Sequence, residues 1–197
     1  MGNIINIEKA KKEMIEKIEF QAKRVEFEKI GCKQVAANGW SNDYKNEAAK
    51  NIRVALKHYF PKTKFSVKKE RGVDGVRITY VDGPKEIENI TNLFDYSDFE
   101  PMIDYYGTKT TAFTNYFGGF KYVQIDRNFS ETTENRIKEI VISMCGNKCE
   151  YDTTDICKIN ERFNVDIYLG GYYNNVATFD LLMHQLLMKL DYPKTIA

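Results

Sequence analysis

The residue types able to do chemistry are few. Four cysteines and two histidines stand in a chain of 197 residues. Cys145, Cys149 and Cys157 fall close together, with Cys32 far off and no histidine nearby. A structural zinc needs four nitrogen or sulfur ligands in tetrahedral reach, usually as close pairs. This spacing does not supply them, so no metal and no cofactor is expected, and all four read as free thiols. Nucleophilic catalysis needs a Cys or Ser turned toward a base. The histidines on offer are His58 and His184, and each reads as a surface or core-packed side chain. Gly118-Gly119 and Gly170-Gly171 lack the flanking pattern of a phosphate loop. No catalytic set emerges.

Charge placement says more than charge total. The net charge is only +1. Between Asp43 and Gly72, however, nine Lys and Arg residues stand against three carboxylates. Lys50, Arg53 and Lys57 share one helix face, and Lys68, Lys69 and Arg71 continue it. With Arg127, these residues are the candidate contacts for phosphates or for a partner. From Asp82 to Asp104 the balance reverses, with seven carboxylates against Lys85. Asp95, Asp98, Glu100 and Asp104 form a candidate acidic surface. That surface would imitate a phosphate backbone, hold a divalent cation, or simply be solvated. Its spacing matches no calcium loop.

The elements that must position these residues follow from periodicity. Residues 5–30 read as a long amphipathic helix, with Ile7, Ala10, Met14, Ile18, Ala22 and Val25 at spacings of three or four. Lys and Glu alternate between them, as on a helix lying against a body or a partner. A second helix runs from Asp43 to about Tyr59, with Trp40 packing back, Ser41, Asn42 or Asp43 as its cap, and Pro61 as its stop. Strands are predicted at Lys64–Lys69 and Val76–Val81, forming an antiparallel hairpin. Asp82-Gly83-Pro84 then opens a helix that turns Ile87, Ile90 and Phe94 toward the sheet. Asp95 to Asn115 reads as loop with one short strand. A third strand follows at Phe120–Ile125, then a helix capped by Ser130. Residues 145–177 read as turns with a strand at Val165–Leu169, and a last helix is capped by Thr178.

The fold expected from these elements is α+β: an antiparallel sheet of about three to four strands packed by helices, with a long N-terminal helix. The expected division is a helical arm over 1–30 and a domain over 43–197, the latter containing a helix-hairpin-helix unit at 43–94. No long apolar run or secretory leader is read, so a cytoplasmic protein without membrane contact is expected.

Within this frame, Ile52-Arg53, Leu56-Lys57, Phe60-Pro61, Lys64-Phe65-Ser66-Val67-Lys68, Val76-Arg77-Ile78-Thr79-Tyr80 and Asp82-Gly83-Pro84 occur in order. Together with Arg127-Asn128-Phe129-Ser130, this series resembles the twenty-ninth family of large polyvalent protein-associated domains, over about 43–130. The hairpin loop, Glu70 to Gly75, departs from the Ser-Gly-Gly type turn of that family. The resemblance implies a phage or plasmid setting rather than a reaction. The expectation is a non-enzymatic binding protein of a mobile genetic element. One form is a counter-defence inhibitor of the anti-CRISPR kind, whose partner is a host protein or nucleoprotein. The alternatives are an accessory domain binding DNA or RNA for replication or conjugation, and a metal-dependent enzyme acting on nucleic acid.

Overall fold

The computed structural model describes residues 2–35, 42–96, 99–101, 106–108, 111–167 and 176–190. Seven α-helices and seven short strands are found among them. Trp40, Ser41 and the Gly170-Gly171 break lie outside the described residues. The chain divides into two compact units, Met1–Thr79 with Ile87–Asp126, and Tyr80–Glu86 with Arg127–Ala197.

In the first unit, α1 (Gly2–Lys29) is followed by α2 (Asn42–Tyr59), β1 (Phe65–Lys69) and β2 (Gly75–Val81). Then come a single turn, α3 (Glu88–Thr91), a 3-10 turn at Asn92–Phe94, β3 (Phe99–Pro101), β4 (Tyr106–Thr108), α4 (Ala112–Phe117) and β5 (Tyr122–Asn128), the last two residues of β2 and of β5 being counted in the second unit. The apolar stripe of α2, Ala48, Ala49, Ile52, Ala55 and Leu56, is fully buried. Helix α1 contributes to this core through its C-terminal end rather than its length. The ring of Phe27 is 1% exposed and packs edge-on against Phe113 at 4.9 Å, with Phe94 and Phe117 alongside. T-shaped pairs of this kind add to the area they bury. Gly118 and Gly119 matter here through close packing. A Cβ on Gly118 would stand 2.6 Å from that of Ala48, and one on Gly119 would stand 2.7 Å from the Phe94 carbonyl.

The second unit is a three-helix cluster: α5 (Glu131–Cys145), α6 (Thr153–Phe163) and α7 (Phe179–Lys189), with β6 (Glu150–Asp152) paired antiparallel to β7 (Val176–Thr178). Ile137, Val141, Tyr151, Ile159, Leu182 and Leu186 form its centre. Ser130, Asp152 and Thr178 cap the three helices, each accepting from a backbone N–H three residues on; such caps satisfy amides that have no partner within the helix.

The expected α+β fold is corrected. Helix accounts for 58% of the described residues, and no single antiparallel sheet organises the chain. The strands form a three-stranded sheet in the order β1-β2-β5 and two separate pairs, β3-β4 and β6-β7. The difference has two physical sources. Helices α4 and α6 occupy stretches read as loop or turns. The short strands of the later chain pair locally instead of joining the first sheet. Two smaller corrections go with it. The helix expected from Pro84 begins only at Glu88, and residues 165–167 are not a strand.

Candidate functional site

The geometry around the β1-β2 connection starts with Lys45, in the first turn of α2. Its Nζ stands 2.5 Å from Asp74 Oδ1. It also donates to the Tyr96 hydroxyl at 2.5 Å and to the Gly119 carbonyl at 3.0 Å. The Tyr96 hydroxyl in turn donates to Asp74 Oδ2. Rings of Tyr44, Tyr96 and Phe120 stand 4.9–5.1 Å from the ammonium, close enough for cation–π attraction. Burial pulls the Lys45 ammonium below its usual range, and the pairing with Asp74 opposes that shift. Burial and the neighbouring Asp74 carboxylate push the Tyr96 phenol upward, so it remains a proton donor.

This cluster fixes one end of the hairpin loop. The other end is held by Arg77, whose Nε reaches Glu70 at 2.8 Å and whose Nη1 reaches Asp126 at 2.9 Å. Between the two anchors, Arg71, Gly72 and Val73 are exposed. An open cleft of about 670 Å³ lies between the start of α2 and this loop, lined by Asn42, Lys45, Lys69, Arg71 and Phe120 among others.

The predicted cations divide into two groups. Lys57, Lys68, Lys69 and Arg71 are exposed and make no ion pair among the described residues. Lys50 is exposed but lies 2.6 Å from Glu47. Arg53 is committed to the fold, donating through Nη2 to the Val67 carbonyl at 2.5 Å and fastening α2 to β1. Arg127 belongs to the second unit. It donates through Nε to the Gly83 carbonyl at 3.0 Å and stacks 4.9 Å from the Phe129 ring. Beside it, Asp82 Oδ1 accepts the Ser130 N–H, and the Asp82 N–H reaches the Asn128 carbonyl, both at 3.0 Å. The Asp82-Gly83-Pro84 and Arg127-Asn128-Phe129-Ser130 strings are therefore hydrogen-bonded to each other. Asp82 sits at φ 50° to make this turn, a conformation that an aspartate tolerates better than most residues.

The acidic candidates do not assemble into a described site. Asp98 and Asp104 lie outside the described residues. Glu100 pairs with Gly107 across β3 and β4, and Asp95 is half-buried, bridging to Phe120. Cys32 and Cys145 are buried, and Cys149 and Cys157 are exposed. Among the described residues, no group of three or more His, Cys, Asp and Glu is placed to hold a metal ion. His58 and His184 are both exposed on helices. The Lys45-Asp74-Tyr96 cluster was missed in the sequence because its members are 22 to 51 residues apart.

A family model, Large polyvalent protein associated domain 29, matches residues 44–130. It describes a phage- and plasmid-associated domain, and it covers part of the chain only. No curated protein matches the chain. No solved structure matches it. No helix among the described residues is long and apolar enough to cross a membrane.

Proposed function

We propose that the chain works by binding, as part of a phage or plasmid protein, and that it grips a polyanion of a host nucleoprotein with Lys57 of α2, Lys68 and Lys69 of β1 and Arg71 of the β1-β2 loop. One observation supports this reading most. Glu47, Glu70 and Asp74 each already hold a cation of the same region, namely Lys50, Arg77 and Lys45. Lys57, Lys68, Lys69 and Arg71 are left exposed with no ion pair among the described residues. Such cations meet phosphates at little desolvation cost and release counterions when they do. These four residues lie within the stretch matched by the mobile-element domain. In a counter-defence setting of the anti-CRISPR kind, the polyanion would be guide or target nucleic acid. In replication or conjugation it would be the element's own DNA or RNA.

Fluorescence anisotropy with short labelled RNA and DNA strands tests the shared step. Binding at about 50 mM salt should fall linearly with the logarithm of salt concentration. Charge reversal at Lys68, Lys69 and Arg71 should lower that slope by roughly 2 to 3. A wild-type protein that binds neither polymer at low salt would rule the reading out. A pull-down from host lysate, with and without nuclease, then distinguishes a nucleoprotein target from bare nucleic acid.

A further inference from the structure

Helix α1 is amphipathic in an unexpected sense. Its contacts with its own unit come from Phe20 and Phe27 and from Glu26 and Glu28, which accept from the Tyr59 and Tyr116 hydroxyls. The Phe20 ring stacks edge-on with Tyr116 at 5.9 Å, and Phe27 enters the core. Arg24 reinforces that side, 4.4 Å from the Tyr116 ring. Met14, Ile18 and Val25 lie roughly 120–180° round the helix from the two phenylalanines. They are 64%, 59% and 63% exposed, and Ile15 beside them is 50% exposed. A helix of a lone globular unit turns its apolar stripe inward; here that stripe faces solvent over three turns. A contiguous exposed stripe of large aliphatic side chains marks an interaction surface.

We propose that this face pairs with α1 of a second copy of the chain, in antiparallel orientation. The spacing fits a coiled-coil seam, with Ile18 and Val25 at one heptad core position and Met14 and Gln21 at the other. The charges around the seam select the partner and its direction. Antiparallel pairing sets Met14 against Val25 of the partner subunit and Ile18 against Gln21 of the partner subunit. It also sets Glu8 against Lys29 of the partner subunit, a pair of opposite charge, and Lys11 against Glu28 of the partner subunit, whose carboxylate already accepts from Arg24 and Tyr116 of its own chain. Ile15 meets Ala22 of the partner subunit on the same flank. Parallel pairing instead sets Lys11 against Lys11 and Glu28 against Glu28. The antiparallel seam has one like-charged flank, Lys17 near Arg24, and Arg24 is already turned toward Glu28 and Tyr116 of its own chain. A self-complementary strip of this kind is what a two-fold interface requires.

Sedimentation equilibrium of the full chain, from low micromolar to several hundred micromolar, tests the pairing. Wild type should form a dimer. Ile18→Glu should raise its dissociation constant at least about tenfold while leaving the circular dichroism spectrum unchanged, since the site is exposed. Glu8→Lys alone should weaken the dimer, and Glu8→Lys combined with Lys29→Glu should restore it. A wild type that stays monomeric throughout, or an Ile18→Glu dimer as tight as wild type, overturns the proposal. Failure of the double charge swap to restore pairing overturns the antiparallel orientation.

Discussion

Lys45 Nζ and Asp74 Oδ1 meet at 2.5 Å with their side chains only 13% and 14% exposed. The pair joins the first turn of α2 to the last residue before β2. Because burial is the larger influence on the ammonium, the pair positions the loop more than it stabilises the fold.

Removing both partners should therefore cost less than the sum of removing each. Lys45→Ala or Asp74→Ala alone should lose about 3 kcal/mol, because an uncompensated charge stays buried. The Lys45→Met, Asp74→Leu double variant should lose less than the sum, with a coupling of about 1–3 kcal/mol. Urea denaturation measures all three. Additive losses would mean that the two groups do not interact.

Asn51 is the next test. It is 2% exposed, its Oδ1 accepts the Lys33 N–H at 2.8 Å, and its Nδ2 donates to the Lys33 and Phe117 carbonyls at 2.7 Å. One side chain thus ties the segment after α1 to α2 and α4. Asn51→Ala strands those backbone groups and should cost about 3 kcal/mol. A loss under about 1 kcal/mol by chemical denaturation would show that other groups replace it.

The thiols should separate by reactivity. In native protein near neutral pH, a disulfide reagent should modify Cys149 and Cys157 quickly and spare Cys32 and Cys145 until the chain unfolds. Burial pushes the Cys32 thiol up to about 12, from an ordinary 9.0. The unfolded chain ionises first, so the stabilising difference is complete below about 9 and is lost as pH rises toward 12. Tyr44 and Tyr96, raised from 10.0, add to that loss at higher pH. Burial also raises the Cys145 thiol from 9.0, so Cys32→Ala should reduce rather than abolish the earliest part of the alkaline decline in melting temperature, and an unchanged profile would contradict this assignment.

On the acid side the sensitive group is Asp155. It is 4% exposed, and Lys148 Nζ stands 2.8 Å from its Oδ2. That hydrogen bond holds its carboxyl below the ordinary 3.8. The stability it contributes is present above about 3.8 and disappears as pH falls through the lower folded value. Asp155→Asn should flatten the acid limb of the melting curve and cost about 1–2 kcal/mol at neutral pH. An acid limb as steep as wild type would place the effect elsewhere.

The legible parts of the fold were those written in strong local patterns. Helix α2 shows a clean apolar stripe, α5 follows Ser130, α7 follows Thr178, and β1 and β2 alternate. Helix α4 was hidden because Ala112–Phe117 is rich in aromatic and β-branched residues, which favour strands. It is held by a capping box between Thr111 and Thr114 and by burial of Phe113 and Phe117. Helix α6 had legible signs, with an aspartate box at Asp152 and Asp155 and apolar Ile156, Ile159 and Phe163, but its polar opening reads equally well as a turn. Of the candidate site, the exposed Lys68, Lys69 and Arg71 were visible as a charge run. The tasks of Arg53 and Arg127 were not, because a guanidinium paired with a distant carbonyl leaves no mark in sequence spacing.

With Glu70 and Asp74 pinned on either side, the tip at Arg71, Gly72 and Val73 has little conformational freedom left to lose. If the loop binds as proposed, part of the ordering of its flanks is already completed during folding. Calorimetry of complex formation should then show a small entropic penalty for this segment. Cutting either anchor should slow association by making the loop search for its bound shape, even where every contacting side chain is intact.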